Sequence, residues 1–458
     1  MAGHDRRAPA GNQDAMSWDE LVAVALIGTE RRAAEVDVPP GAPDELGAAL
    51  ESKGSEERLL GAAAAWAVAR RAGARALQAV EVEPVPLDER SLCSAAAGAR
   101  LRTLIEDEEP RIVAEWLARA RTRGVRPLPE DVPALLEFAV RREALQEPVI
   151  EAAGPLGLWL AQREPVWGFA TDLWADGTRV QRRRQLARLR RKDPAAGLAL
   201  LEQGWKDEGW EDRAALLEAL EPGLSDADEP FLESVLDDPR QEVRTQARLL
   251  LAMLPNSRAS QRAAAWAKQL VRVEGAEIEV ELPGPPDDQQ RRDGFDARGR
   301  RSERLRDLLA WTPLSTWDGS LVDLPVADDL RPVLLDGWTG AALLQGDETW
   351  ARALWLATQE PHMLSVLPRE EAETLARQAA DPYTAASELP AWGQELSRVI
   401  IRAIPKLRER NVHIGLAGYK LDPSLEAEVE PLRDLGGRDV LDLCDTVALR
   451  AAMLRELA

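Results

Sequence analysis

Apolar residues recur at three- and four-residue intervals along most of the chain, the spacing of one buried face of an α-helix. Trp18, Leu21, Val22, Ala25 and Leu26 carry this pattern over 18–32, and Leu59, Leu60, Ala63, Trp66 and Ala67 carry it over an Ala-rich 56–80. Pro84 and Pro86 interrupt it. It resumes over 92–104, 112–121 and 133–143, and again from Arg304 to the end. One stretch obeys a different period. Across 272–282, Ala276, Ile278, Val280 and Leu282 alternate with Glu277, Glu279 and Glu281, which predicts a strand. A strand needs a neighbour; residues 271–274, residues 321–326 and a second chain are the alternatives. Residues 283–303, rich in Pro, Gly, Asp and Arg, read as a flexible loop.

Between 165 and 255 the pattern repeats every 31 residues. Asp176, Asp207 and Asp238 form one column, and Arg182, Arg213 and Arg244, six residues later, form a second. Phe169, Leu200 and Phe231, then Trp174, Trp205 and Leu236, then Leu189, Leu220 and Leu251 form three apolar columns in phase. The last copy predicts two helices. Phe231, Leu232, Val235 and Leu236 form one face of the first. Asp238 then stands as an N-cap with Pro239 at the first helical position, and Val243, Ala247, Leu250, Leu251 and Leu254 continue at helical spacing until Pro255. One such pair cannot bury its apolar face alone, whereas stacked pairs can.

The stretch from Asp237 through Asp238, Pro239, Val243 and Arg244 to Ala247 resembles a HEAT repeat. That resemblance implies that the Asp and Arg columns link neighbouring units. The earlier copies depart from it: Asp212 stands where Val243 does, and position 181 is Gln. A looser resemblance spans nearly the whole chain. Residues 18–31 with Ala25-Leu26-Ile27-Gly28-Thr29, the run Gly157-Leu158-Trp159-Leu160-Ala161, the helix ending in Leu254-Pro255-Asn256-Ser257, and the Trp350 and Trp355 pair are similar to an uncharacterised bacterial family. Its members are found beside genes for a MoxR-type AAA+ ATPase, a von Willebrand factor A protein and a SWIM zinc-finger protein. The resemblance implies a partner among those proteins.

Composition narrows the picture. Ala, Leu, Arg and Glu, all good helix formers, dominate the 458 residues, so the expected fold is all-α: a HEAT-like solenoid with helical flanks and one small β insertion near 272–282. The expected segments are a disordered lead-in at 1–15, a helical domain at 16–164, repeats at 165–270, the strand and loop insertion at 271–303, and a helical domain at 304–458. Met16 is an alternative start to Met1. A net charge of −21 opposes general binding to phosphate backbones. Cys93 and Cys444 make neither a disulfide framework nor a zinc site, no apolar run is long enough to span a membrane, and the expected location is cytoplasmic.

Candidate chemistry is thin. His4, His362 and His413 have no partners at metal-ligand spacing, and no nucleophile elbow or phosphate-cradling Gly loop occurs. No catalytic residue, cofactor or metal is expected. The 15 Trp residues read mainly as packing anchors. One feature inverts the overall acidity: Arg179, Arg182, Arg183, Arg184, Arg188, Arg190, Arg191 and Lys192 fall within 14 residues without an acid. Two readings stand side by side. Arg179, Arg183, Arg184, Arg188, Arg190, Arg191 and Lys192 form a partner-binding stripe, or the run is a helix face neutralised by acids elsewhere, with Arg182 structural in either case. The expected function is a non-catalytic helical scaffold or adaptor for proteins. Its alternative is a HEAT-like nucleic-acid-binding or DNA-repair protein using 179–192.

Overall fold

A computed structural model describes residues 18–29, 38–39, 42–71, 84–171, 174–175, 177–295, 299–409 and 412–457. The chain forms two compact units, 1–84 and 85–458. In the first, α1 (Trp18–Ile27), α2 (Asp44–Glu51) and α3 (Ser55–Arg71) close a small core of Leu21, Val24, Leu59 and Ala62. Gly28, at φ +95°, follows the end of α1; a backbone of that hand suits Gly. The buried face of α3 is turned relative to the sequence expectation: Ala62 is fully buried, whereas Leu60 is 70% exposed. The expected extensions of these helices, 30–32 and 72–80, lie outside the described residues, as does the lead-in at 1–15.

The second unit is all-α and solenoid-like, with three apolar cores. The first core lies among α4 (Ala95–Glu106), α5 (Pro110–Arg123), α6 (Val132–Val140) and α7 (Glu143–Ala161). Two short strands, β1 (Ser91–Leu92) and β2 (Val125–Arg126), pair in parallel beside them. Ser94 caps α4 by accepting from the Ala97 amide at 3.1 Å, so this helix starts three residues later than its apolar pattern suggests. Trp116 is fully buried and donates from Nε1 to the Ala97 carbonyl at 3.2 Å, satisfying its one polar atom. Inside α7 the chain kinks at Gly154, φ +55°, just before Pro155. The Arg90 guanidinium fills that notch and donates to the Glu151 and Ala152 carbonyls at 2.9 and 3.2 Å.

The second core belongs to the 31-residue period. Its helices are α8 (Arg179–Lys192), α9 (Pro194–Gly204), α10 (Trp210–Glu218), α11 (Glu229–Val235) and α12 (Gln241–Ala252). The second and third copies are the pairs α9/α10 and α11/α12. In the first copy a 3₁₀ turn over Pro165–Ala170 precedes α8, and its Phe169 packs into the first core. Asp238 does not cap α12, which starts at Gln241. It accepts instead from the Arg240 amide at 2.8 Å, an Asx-type turn leading into the helix.

Helix α13 (Arg258–Leu270) belongs to two cores, with Ala259 in the second and Ala263, Ala267 and Leu270 in the third. The predicted strand is a hairpin. Strands β3 (Val271–Glu274) and β4 (Glu277–Val280) pair antiparallel from Val271↔Val280 to Glu274↔Glu277, turning at Gly275 with φ +67°. The Ile278 amide also donates to the Pro325 carbonyl at 2.8 Å, so both local neighbours contribute. Within 283–303 a short helix, α14 (Asp288–Arg292), carries an Asp287–Gln290 capping box.

The third core is built by α15 (Arg301–Ala310), α16 (Arg331–Gln345), α17 (Glu348–Thr358), α18 (Arg369–Gln378), α19 (Pro382–Ala385), α20 (Gln394–Glu409), α21 (Glu426–Val429) and α22 (Arg438–Glu456). Trp338 packs at 5.4 Å from Trp350 and 6.2 Å from Trp317 there.

Helix α22 leaves this core and ends in the first one, where Met453 and Leu457 are buried. Arg450 follows the same path. Its Nε and Nη2 donate to Glu115 of α5 at 2.5 and 2.9 Å, and its Nη1 donates to the Gly418 and Leu421 carbonyls, both at 2.7 Å. Glu115→Ala strands that buried guanidinium. It is expected to cost about 3 kcal/mol in urea denaturation. Glu426→Ala removes the exposed pair with Arg455 and is expected to change stability by less than ~0.5 kcal/mol.

Candidate functional site

The basic run forms α8, opened by a Thr178–Gln181 capping box. Its arginines leave the helix in two directions and meet acids on both sides. Toward α7, Arg183 Nη2 and Arg184 Nη2 lie 2.8 and 3.0 Å from Glu143, and Arg188 Nη2 lies 2.7 Å from Glu147. The spacing explains the match: Glu143 and Glu147 are four apart on one helix, as are Arg184 and Arg188 on the other. Toward α10, Arg183 Nη1 reaches Glu218 at 2.8 Å, and Arg179 reaches Glu211 and Asp212, each at 2.6 Å.

Arg190, nominated on sequence as a surface cation, is buried. It pairs with Asp228 at 2.8 and 2.9 Å and donates to the carbonyls of Pro194, Leu220, Pro222 and Gly223. Such an arginine ties the start of α9 and the loop after α10 to the start of α11 and presents nothing to a partner. Arg191 and Lys192 are exposed.

The two polar columns meet unevenly. Arg213 Nη2 lies 3.2 Å from Asp238, joining the second copy to the third. Arg182 bonds Glu208, the neighbour of Asp207, with Nη1 at 2.9 Å from it. Arg244 turns back onto the Asp238 and Pro239 carbonyls at 2.8 and 3.2 Å. Asp176 lies outside the described residues. The Trp column contributes as well. Arg182 stacks over Trp174 with its guanidinium carbon 4.8 Å from the ring centroid, and Arg213 stands 5.8 Å over Trp205. The third copy has Leu236 in that column, and without a ring to cover, its Arg turns to the backbone.

Between α7, α8 and the end of α10 the ion pairs leave a groove of about 590 Å³. Glu143, Glu147, Arg183 and Arg184 line it together with Ala144, Ala187 and Pro222. Two further lining groups, Arg191 and Glu221, are exposed and make no ion pair among the described residues. Desolvation pushes the Glu143 carboxyl up, but the Arg184 and Arg183 guanidiniums outweigh it and hold the group below its ordinary value.

Elsewhere, Cys93 and Cys444 are both buried and unpaired with each other. His362 is exposed near Glu360 and Glu388, and His413 Nδ1 sits 3.1 Å from Asp439. Among the described residues, no group of three His, Cys, Asp or Glu side chains is placed to hold a metal ion. No described helix is long and apolar enough to cross a membrane.

The model of a family of unknown function, DUF5691, matches residues 20–457. The chain belongs to that family. No curated protein and no solved structure matches it. In this DUF5691 chain, the tie that sequence reasoning missed is Arg190–Asp228, 38 residues apart. A signal was present: Asp228 starts a Pro230-containing helix, and Arg190 falls four residues after Leu186 on the buried face of α8.

Arg190→Met leaves Asp228 without its cation and is expected to cost about 3–5 kcal/mol. Arg191→Met is expected to change stability by less than ~0.5 kcal/mol, both read by urea denaturation. Glu143 titrates lower folded than unfolded, so its contribution is full above pH 4.5, its ordinary value, and is lost as the pH falls through the folded value. The stability difference between the wild type and Glu143→Gln is therefore expected to shrink below that pH.

Proposed function

We propose that the protein is a non-catalytic helical scaffold or adaptor that works through protein–protein contacts in the cytoplasm, and that its repeats are HEAT-like. The observation that supports this is the groove beside α8. It is open and of mixed charge, and its walls, α7, α8 and the end of α10, are joined by ion pairs. Arg191 and Glu221 offer one charge of each sign to an incoming chain. Opposed charges at fixed spacing give register and selectivity more than affinity. The repeat assignment is supported by the Arg213–Asp238 pair between successive copies.

The partner we propose, on the family resemblance, is a MoxR-type AAA+ ATPase or a von Willebrand A protein of the same host. The nucleic-acid alternative draws on the basic run, and most of those cations already face carboxylates of this chain. A duplex with its dense phosphate charge would have to compete with them.

The test is a quantitative pull-down with the intact protein from its native host. The wild type is expected to retain one of these proteins, and Arg191→Glu combined with Glu221→Arg to retain at least tenfold less. Repeated absence of both proteins removes the partner assignment. Equal retention by the double variant removes the groove.

A further inference from the structure

The β3–β4 hairpin leaves one strand edge open. Backbone bonds alternate along an antiparallel pair. The Glu281 amide donates to the Leu270 carbonyl at 2.7 Å, so every second pair from there, Arg272 with Glu279 and Glu274 with Glu277, exchanges bonds across the hairpin. Val273 and Ile278, the pair between them, turn their backbone groups away from each other. Ile278 directs its amide to the Pro325 carbonyl. Val273, on the opposite edge, makes no backbone hydrogen bond to any described residue. Arg272, Val273 and Glu274 are all exposed, Val273 by 49%. An edge of this kind is a template for a further strand.

The side chains alternate as well. Val273 shares a face with Ile278, which is buried in the third core. Arg272, Glu274, Glu277 and Glu279 share the other face, and all four are exposed. Pairing on that face is uneven. Arg272 stands opposite Glu279, whereas Glu274 stands opposite Glu277, and like charges directly opposed destabilise a strand pair. The free edge of β3 is complementary to itself when reversed: Arg272 and Glu274 flank Val273 symmetrically with opposite charges.

We propose that β3 pairs antiparallel with β3 of a second copy of this chain, about a two-fold axis at Val273, to give a four-stranded sheet in the order β4, β3, β3, β4. The two Val273 residues exchange N–H to carbonyl bonds across the axis, and their side chains cover each other. Arg272 of each copy faces Glu274 of the other in the pairs without backbone bonds, where side chains lie closest. Glu274 thereby gains the cation that its own hairpin does not give it. The same patch serves both copies, as a two-fold contact requires, and a two-stranded ribbon becomes a sheet of four. The net charge of −21 on each copy opposes association. Physiological salt screens that repulsion beyond about 8 Å, whereas the pairs across the axis are closer. The strand is four residues long, so the contact is small and belongs with weak associations.

The test is sedimentation equilibrium of the full chain at about 0.15 M salt. Between ~1 and ~200 µM the average mass is expected to rise toward twice that of one chain. Arg272→Glu and Glu274→Arg each set two pairs of like charge across the axis, and each is expected to weaken self-association at least tenfold. Mixed in equal amounts, the two variants present opposite charges to each other and are expected to associate as the wild type does, which also shows that both are folded. A wild type that stays monomeric to ~200 µM overturns the proposal. So does self-association that both variants retain, and so does a mixture that fails to recover it.

Discussion

Arg450 and Glu115 are 335 residues apart in the chain and 2.5 Å apart in space. Their pairing depends on α22 reaching the first core of the larger unit, where Met453 and Leu457 are buried beside Trp116 and Leu117. A stack of helix pairs ordinarily ends in two exposed apolar faces, each needing a cap. Here the last helix covers the first ones. Arg100 supports the closure by pairing with Glu456 at 2.8 Å, and Ser94 Oγ donates to the Glu456 carbonyl at 2.8 Å. Each core between them, including the repeat stack, is held at both ends.

Within that frame, arginine makes the joints. The chain has 79 acids and 58 basic residues, so carboxylates outnumber cations and an arginine placed between helices readily finds one. A planar fork with five donors can satisfy a carboxylate and several helix-end carbonyls at once. Arg190 does so between the repeat copies, and Arg90 does so at the α7 kink. The joint between α7 and α8 is of a different kind. Its pairs are partly exposed, each worth little alone, and salt weakens them. It is therefore a softer seam than the apolar contact of α11 with α12. Arg191 and Arg248 stand apart from this pattern: Arg191 is exposed and lines the groove, and Arg248 is fully buried with a bond to the Trp311 carbonyl.

Residues close in sequence were legible in advance. Periodicity located the helices because a buried face repeats every three to four residues whatever it packs against. The in-phase columns of Asp, Arg, Trp and Leu located the copies for the same reason, and alternation located the hairpin. Boundaries moved where a cap decided them, as at Ser94 and at Asp238, because a short side chain has several amides within reach. The strand at 272–282 broke in two at Gly275, a residue that ends a strand only when its neighbours fold back.

The sequence alone determined the helical class, the 31-residue repeat and the clustering of cations on one helix, all of which are local or periodic properties. Only the tertiary structure decided what those cations do. The acids facing α8 come from 26 to 41 residues away, and spacing cannot say which of 79 carboxylates will be nearest. Burial has the same origin. Arg190 and Arg191 are adjacent in sequence, yet successive residues on a helix point about 100° apart, and one faces the core while the other faces the groove. The basic helix, read from sequence as a surface with two possible uses, is in the folded chain mostly a seam between two helical blocks, with Arg191 and Lys192 left facing outward.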